Sequence, residues 1–397
     1  MAGKDRSYLK VLRQQDIDEI NEKARAGRRS KIENIVIKVL VAALIILGVY
    51  MIFAGQTYTK AFKATSYEEK TSDTNQYVEF GKGIIRYSRD GVVFLNRHNE
   101  EQWIHPCQIK QPIIDINKGC FAVADSGGNS ILVFTEKGIK GEIKTNLPIE
   151  KISVSSQGIV GAILKNEDSP FIILYDATGN KLVEHQISIN RIGYPVALEL
   201  SEDGTKLAVS HLIITNGQKK TRIIFYDYGK KGKEKADNVV AKDTYDDEVF
   251  PEIFFMKGNS AIVVGDSSLI VYDTKGTPQK KKEIELKGEI KNVVHTDEYV
   301  GLIMLNSSKS GYEARLYNAD GTEVMSTEFI GEYSKVKMSD DELIMTAGKS
   351  CLIIRKNGKI RFQGELPNDI LEVIPVIGPN HYLVMSKDEL TSIYLVK

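Results

Sequence analysis

Few residues of this sequence have the types and spacing that catalytic or cofactor chemistry would need. Gly348-Lys349-Ser350 resembles the end of a phosphate-binding loop, but Leu343 stands where that motif requires glycine, and a strand rather than a helix is predicted to follow. No serine-nucleophile elbow, zinc-protease motif or dinucleotide-binding motif occurs. The histidines lack the spacing of metal ligands. They are His98, His105, His185, His211, His295 and His381. We therefore predict no catalytic, cofactor-binding or metal-binding residues, no cofactor and no enzymatic activity.

Two lysine runs are the candidate binding residues. They consist of Lys230, Lys231, Lys233 and Lys235, and of Lys280, Lys281 and Lys282. Because equivalent loops of neighbouring repeats emerge on one face, we expect a single basic patch that contacts a polyanion such as a wall polymer or lipid headgroup. An ordinary solvated loop surface is the alternative. An acidic patch is expected on the opposite face, from Asp243, Asp246, Asp247 and Glu248.

Three cysteines are too few, and odd in number, for a disulfide framework. Cys107 and Cys120 fall in adjacent repeats and could pair outside the cell, which the sequence leaves open. Cys351 lies in an apolar strand and is expected to pack there.

Composition excludes several classes of protein. The 397 residues carry 53 basic and 53 acidic side chains, and 42% of them are hydrophobic. Disorder, the basicity of a nucleic-acid-binding protein and a polytopic membrane protein are all inconsistent with these values. The net charge is zero because two opposite charges cancel. Residues 1–38 have a net charge of +4, and the rest of the chain has −4.

One apolar segment predicts a membrane anchor. Seventeen residues from Val39 to Gly55 carry no charge, and Ile35–Ile37 extend the run. We predict a transmembrane helix over 35–55, an uncleaved signal anchor, in preference to a buried core helix or a cleaved signal peptide. Residues 1–38 hold ten basic residues against three in residues 56–75, so the partly helical segment 1–34 should be cytoplasmic and the domain after the span extracytoplasmic.

The sequence pattern beyond residue 76 predicts repeated β-structure. Short β-branched and aromatic runs alternate with turn residues, and an aromatic-Asp-turn-Gly motif recurs at intervals of 37 to 50 residues, as in Leu174–Gly179 and Val271–Gly276. Eight apolar second strands can be counted. We predict an all-β propeller of eight blades over 77–397, or seven if the first and last units merge. The last unit lacks an outer strand, which residues 60–70 of the linker 56–76 could supply.

The aromatic-Asp motif itself is interpreted as structural. The acidic side chain should bond its own turn, and the aromatic ring should pack between neighbouring sheets.

Four stretches of the ectodomain carry a family resemblance. They are GKGIIRYSRDGVVFLNR (Gly81–Arg97), EEQWIHP (Glu100–Pro106), IIDINKGCFAVADSGGNSILVFTEKG (Ile113–Gly138) and IEKISVSSQGIVGAIL (Ile149–Leu164). With the preceding span, they are similar to an uncharacterised family of single-pass, membrane-anchored β-propellers of Gram-positive bacteria, which carries no established activity. The chain more distantly resembles WD40-like and quinoprotein propellers, including envelope-assembly scaffolds. Trp103 is the only tryptophan, so the repeated tryptophan motif of quinone-binding propellers is missing.

These observations predict a non-enzymatic, membrane-anchored binding or scaffold module in the bacterial cell envelope. Its expected partners are an unknown envelope protein or wall polymer and, through residues 35–55, membrane lipid, with no nucleic acid. One alternative is an envelope enzyme, for example glycan-active, with its site in the propeller funnel. Such an enzyme should show acidic or histidine side chains with perturbed pKa values converging on the channel. The other alternative is a sensor that signals through the N-terminal helix.

Overall fold

A computed structural model describes residues 35–48, 56–68, 75–306, 311–339, 341–376, 378 and 380–397. The predicted cytoplasmic segment 1–34 and the end of the predicted span, residues 49–55, lie outside the described residues. The chain divides into two compact units, with the boundary between Gln56 and Thr57.

The first unit contributes one helix to the described chain, α1, over residues 35–48, and its side chains are exposed along its length. Among the described residues, no helix combines the length and hydrophobicity that a membrane crossing requires. The transmembrane helix over 35–55 therefore stays a prediction.

The second unit is built from four-stranded antiparallel sheets, which we number as blades in chain order. Blades 1 to 4 consist of β2 (Gln76–Phe80), β3 (Gly83–Tyr87), β4 (Gly91–Leu95), β5 (Glu101–Pro106); β6 (Pro112–Ile116), β7 (Phe121–Asp125), β8 (Ser130–Thr135), β9 (Gly138–Lys144); β10 (Ile149–Val154), β11 (Val160–Leu164), β12 (Phe171–Tyr175), β13 (Lys181–Gln186); and β14 (Tyr194–Leu200), β15 (Lys206–Thr215), β16 (Gln218–Asp227), β17 (Val239–Asp246). A short helix, α2 (Ile189–Ile192), connects blades 3 and 4, and two 3₁₀ turns (Gly232–Glu234 and Ala236–Asn238) lie between β16 and β17.

Blades 5 to 8 complete the set. They consist of β18 (Glu252–Met256), β19 (Ser260–Val264), β20 (Ser268–Asp273), β21 (Gln279–Glu285); β22 (Ile290–His295), β23 (Tyr299–Leu305), β24 (Tyr312–Asn318), β25 (Glu323–Phe329); β26 (Lys335–Ser339), β27 (Glu342–Ala347), β28 (Ser350–Arg355), β29 (Ile360–Glu365); and β30 (Glu372–Pro375), β31 (His381–Met385), β32 (Glu389–Val396), β1 (Lys60–Glu68). Eight blades are therefore confirmed within the described chain, and the seven-bladed alternative is wrong.

The ring closes through β1, as the missing outer strand of the last unit predicted. β1 pairs antiparallel with β32 from Lys60 opposite Val396 to Glu68 opposite Glu389. The segment predicted as a linker thus contributes the outer strand of blade 8. Without this pairing, the edge of β32 would expose unpaired backbone groups.

The hydrophobic core lies between the blades. Each of eight clusters of buried side chains draws its members from two neighbouring blades, and the cluster of Tyr77, Leu95, Ile374 and Leu383 joins blade 1 to blade 8. The aromatic residues of the repeated motif pack on the preceding blade, as predicted. They are Phe134, Tyr175, Tyr226, Tyr272 and Tyr317.

The acidic residue of the motif bonds its own turn, as predicted. Asp176 accepts hydrogen bonds from the backbone N–H groups of Thr178 and Asn180 at 2.9 and 3.0 Å. Hydrogen bonds from the Asn180 and Thr178 side chains also lower the pKa of Asp176 to about 2. Asn318 accepts the equivalent backbone bonds in blade 6, at 3.0 and 2.9 Å. A neutral asparagine side chain therefore accepts the same two backbone hydrogen bonds as the aspartate does.

The three cysteines are free thiols. Cys107 packs against the core between blades 1 and 2, whereas Cys120 belongs to the core between blades 2 and 3. The two side chains thus lie on opposite sides of the blade 2 sheet, which keeps them apart. Cys351 is buried between blades 7 and 8, as expected.

The inner strands all run in the same direction and define two faces. We call the face where they begin, at Gln76 and Pro112 among others, the first face, and the face where they end the second face. Hairpins between second and third strands and the connections between blades therefore lie on the first face. Hairpins between first and second strands, and between third and fourth strands, lie on the second face.

Candidate functional site

Each face of the propeller holds a cavity lined by the ends of the inner strands. The cavity of the first face, about 920 Å³, is lined by Gln76, Lys335 and Glu372 among others. The cavity of the second face, about 1120 Å³, is lined by the ends of β6, β14, β18 and β26. The first volume lies within the usual range of small-molecule binding sites, and the second slightly exceeds it.

Two carboxyl groups, Asp115 of β6 and Glu199 of β14, line the second cavity. Asp115 Oδ2 accepts a hydrogen bond from the backbone N–H of Val154 in β10, at 2.6 Å. Ser153 Oγ donates to Glu199 Oε2 at 3.1 Å and accepts from the Leu200 N–H at 3.0 Å. Two consecutive residues of blade 3 therefore hold one carboxyl from each neighbouring blade.

Both carboxyl groups have raised pKa values. Burial raises the pKa of Asp115 to about 7, although hydrogen bonds from backbone N–H groups oppose the shift. Burial also raises the pKa of Glu199 well above its usual range, and the negative charge of Asp115 adds to this effect. Burial also raises the pKa of a third carboxyl group, that of Glu252 in β18, and the positive charge of Lys151 opposes this shift. Carboxyl groups of this kind can hold a proton near neutral pH.

This channel chemistry is the pattern that the enzyme alternative predicts, and the motif search missed it. The signal was an acidic residue within an otherwise apolar inner strand: Asp115 follows Ile113-Ile114, and Glu199 follows Ala197-Leu198. Inner strands contact both neighbouring blades and border the channel, and these two carboxyl groups line its second cavity. Only the tertiary structure shows that Asp115 and Glu199 lie at the same height in the channel.

An ion-pair bridge crosses the mouth of the second cavity. Lys118 Nζ lies 2.9 Å from Asp297 Oδ2 and 3.3 Å from Glu202 Oε2. These residues come from blades 2, 6 and 4, and blades 2 and 6 stand opposite each other in the ring. Because the side chains are largely exposed, the bridge contributes little stability. One lysine between two carboxylates leaves the bridge with a net charge of −1.

The first cavity contains an ion pair whose two charges cancel. Lys337 of β26 forms an ion pair with Glu372 of β30, and both side chains are mostly shielded from solvent. Asp115 and Glu199, by contrast, line the cavity of the second face.

The described histidines act as packing residues. Burial lowers the pKa of His211 and of His295 to about 4, so both are neutral at pH 7. The His295 ring stacks on Phe254, with centroids 3.9 Å apart. Within the described residues, no three His, Cys, Asp or Glu side chains lie close enough together to hold a metal ion.

The lysine runs occupy different structural settings. Lys230, Lys231, Lys233 and Lys235 are exposed in the connection between β16 and β17. Lys280, Lys281 and Lys282 lie in strand β21, so the expectation of two equivalent loops is wrong for the second run. The reason is that the third-to-fourth-strand turn of blade 5 ends before Gln279. Contact with a polyanion stays a prediction.

The second lysine run is also partly neutralised. Lys280 pairs with Glu283 at 2.9 Å, and Lys281 pairs with Asp320 of blade 6 at 2.8 Å. Lys282 donates to the Gly321 carbonyl at 2.6 Å.

The predicted acidic patch is largely a set of strand and buried residues. Asp243 and Asp246 lie in β17, and Asp246 pairs with Lys220 at 2.8 Å. Glu248 is buried.

The fold and the channel define the protein as an eight-bladed β-propeller. The chain belongs to a family of unknown function, DUF5711, whose sequence model matches residues 54–395. This agrees with the predicted membership of an uncharacterised propeller family. A search of curated proteins found no match.

Several solved structures share the fold. BamB from Moraxella catarrhalis is 12% identical with a TM-score of 0.51, and the match covers 85% of this chain and 100% of that one. Sqt1 from Saccharomyces cerevisiae is 11% identical with a TM-score of 0.55, and the match covers 86% and 100%. AztD from Citrobacter koseri is 12% identical with a TM-score of 0.50, and the match covers 75% and 86%. At these identities the similarity establishes the fold alone.

Proposed function

We propose that the chain is a membrane-anchored, extracytoplasmic propeller that binds a protein of the cell envelope through its first face. The apolar run over 35–55, which is uncharged from Val39 to Gly55, and the excess of basic residues in 1–38 support the anchoring and the orientation. The closed ring supports a binding role, because eight interlocked cores hold the loops of each face in a defined arrangement.

The observation that carries this proposal is the hairpin β15–β16 of blade 4. Each of its strands has ten residues, whereas the second and third strands of the other blades have five to eight. Asn216 and Gly217 form its tip with positive φ angles of 53° and 78°. The paired part of this hairpin is therefore longer than that of the equivalent hairpins in the described chain. The side chain of Ile214, next to this tip, is 71% exposed.

Ion pairs hold the hairpin in place. Lys219 contacts Asp266 of blade 5 at 2.5 Å, and Lys220 contacts Asp246 of β17 at 2.8 Å. A second exposed isoleucine, Ile330, lies on the same face in the connection between blades 6 and 7 and is 77% exposed. In this proposal the partner covers both apolar side chains and removes them from water.

The proposal is tested by photo-crosslinking in native membranes. A photoreactive residue is placed at Ile214, at Ile330 or, as a control, at Leu182, an exposed position on the outer strand β13. We expect the same protein adduct from positions 214 and 330 and none from 182. The substitution Ile330→Asp should abolish the adduct from position 214. Equal adducts at all three positions would contradict binding through the first face.

The anchoring is tested separately on the full-length chain. Carbonate should leave the protein in the membrane, and protease added to intact, wall-free cells should digest the propeller while sparing an N-terminal tag. Extraction by carbonate, or loss of the tag, would refute the predicted span or its orientation.

An envelope enzyme is the second candidate, and the Asp115 and Glu199 carboxyls favour it. A protonated and an ionised carboxyl at one site can act as general acid and general base in glycan hydrolysis. This candidate predicts that full-length protein releases soluble fragments from cell-wall glycan and that both Asp115→Asn and Glu199→Gln abolish the release. The binding proposal instead predicts no turnover, with crosslinking unchanged in both variants.

A further inference from the structure

The connection between β16 and β17, residues 228–238, differs from the equivalent connections of the other blades. It has eleven residues, against two to five elsewhere. Its side chains Lys230, Lys231, Lys233 and Lys235 are exposed. In the part of the chain that the structure describes, no carboxylate pairs with any of the four. We call residues 228–238 the lysine loop.

The lysine loop is anchored to the propeller by packing. The Tyr228 ring stacks near Tyr226 and His185 of the blade 3–4 interface, with centroids 6.5 and 6.2 Å away, and its hydroxyl lies 3.3 Å from His185 Nε2. Gly232 is buried, and a Cβ at this position would lie 1.5 Å from the Asp227 carbonyl oxygen. The lysines are therefore presented by an ordered backbone, which lowers the entropy lost on binding.

The lysine loop lies on the second face, because it joins a third to a fourth strand. The chain also enters the propeller on this face. Thr57 Oγ1 donates to the carbonyl of Ile360, the first residue of β29, at 2.7 Å, and the Tyr58 N–H donates to the Arg361 carbonyl at 2.8 Å. Outer strands such as β29 begin at the second face. Blade 4, which carries the lysine loop, stands opposite blade 8 in the ring.

We propose that the lysine loop binds the anionic lipid headgroups of the membrane in which the chain is anchored. This inference rests on the proposed membrane anchoring. A span that ends at residue 55 leaves only Gln56 before the propeller unit. The Cα atoms of residues 55 and 57 can therefore lie at most about 7 Å apart. In this proposal, the short connection to Thr57 brings the second face to the bilayer surface. The lysine loop adds a second attachment on the opposite side of the ring.

Lysines partly neutralise three acidic residues elsewhere on the second face. Glu298 pairs with Lys257 at 2.5 Å, while Glu202 and Asp297 share Lys118. Within the loop, Glu234 and Asp237 reduce four positive charges to a net +2. At about 1 kcal/mol per net basic charge near an anionic surface, the loop favours the bound state about 30-fold.

The first test measures lysine accessibility in the full-length protein. The protein is reconstituted in phosphatidylcholine vesicles with and without about one third phosphatidylglycerol, and an amine-reactive reagent is followed by mass spectrometry. We expect labelling of the lysine loop to fall about tenfold or more in anionic vesicles and to recover at high salt. Lys165 and Lys287, exposed on the first face, are the controls and should not change.

Three results would overturn the inference. They are unchanged labelling in anionic vesicles, an equal fall in zwitterionic vesicles, and protection that arises only when a soluble wall polymer is added. The last result would assign the loop to a polymer rather than to lipid. Protein that carbonate removes from the vesicles would refute the anchoring itself, whereas retained protein with unprotected lysines would refute only the role of the loop.

The second test uses variants. Replacing Lys230, Lys231, Lys233 and Lys235 by Gln removes the charge of the loop, and the matched control replaces Lys165 and Lys287. We expect hydrogen-deuterium exchange over residues 228–238 to slow in anionic vesicles for the natural and control proteins but not for the loop variant. Because these side chains are exposed, both variants should melt near the temperature of the natural protein. Equal protection of the loop variant would contradict the inference.

Discussion

Replacing Asp115 by Asn should stabilise the propeller at neutral and alkaline pH. Asp115 lies at the second cavity, where burial raises the pKa of its carboxyl group to about 7. An ionised carboxylate at this position lacks the hydration that it has in the unfolded chain. Asn cannot ionise, and its side-chain oxygen can still accept the hydrogen bond that the Val154 N–H donates at 2.6 Å.

The size of the effect follows from the pKa change. An increase from 3.8 to about 7 corresponds to about 4 kcal/mol at high pH, because each pKa unit is worth about 1.4 kcal/mol. The Asp115 side chain is only partly shielded, since it lines a cavity open to solvent, and part of the penalty is shared with Glu199. We therefore expect the Asn variant to be more stable by about 2 kcal/mol at pH 8.

The stability advantage of the Asn variant should increase with pH. The folded-state pKa of Asp115 exceeds its unfolded-state value, so the natural protein loses stability as pH rises from about 4 through about 7. The variant lacks this loss. Its advantage should thus be near zero at pH 4, grow through pH 7 and become constant above about pH 8.

Thermal unfolding followed by the fluorescence of Trp103, the only tryptophan, provides the assay. For a unit of this size, about 2 kcal/mol corresponds to an increase in Tm of about 3 °C at pH 8. The matched control is Asp168→Asn, an exposed loop carboxylate, which should leave Tm unchanged at every pH. A variant that is less stable than the natural protein at pH 8, or equally stabilised at pH 4, would refute the reasoning.

Three further predictions concern the ring. Deleting residues 57–68 removes β1 and exposes the edge of β32, so size-exclusion chromatography should show aggregation, whereas a chain that begins at Thr57 should elute as a folded propeller. Asp176→Ala should lower stability by about 1 kcal/mol in urea unfolding, while Asp176→Asn should cost less, because Asn318 already fills the equivalent turn; equal losses would contradict the turn role. Trp103→Leu should cost about 2 kcal/mol by circular dichroism melting and Trp103→Phe less, since Trp103 stacks between blades 1 and 2; no loss for Leu would exclude this packing.

Local sequence signals predicted much of the fold. The eight apolar second strands counted in the sequence correspond to eight four-stranded sheets in the described chain. The closing strand was expected within residues 60–70 and is observed at Lys60–Glu68. These predictions succeeded because apolar strands, polar turns and motif spacing are properties of short segments.

Predictions about surfaces and sites were weaker. Lys280 was expected in a loop and lies in a strand, because one extra or missing turn residue moves a side chain between the two settings. The basic patch also depends on ion pairs such as Lys281 with Asp320, which join neighbouring blades and have no signal in local sequence. The channel carboxyls were missed altogether.

The sequence by itself determined the class of fold, limited the number of blades to eight or seven, and indicated a source for the closing strand. These depend on periodicity and on the count of repeated units, which survive any arrangement of the chain in space. Only the tertiary structure decided that Asp115 and Glu199, 84 positions apart, share one wall of a channel, and that the lysine loop lies on the face where Thr57 joins the ring. The physical reason is ring closure, because it places residues from distant blades side by side, and their charges then act on one another through the protein rather than along the chain.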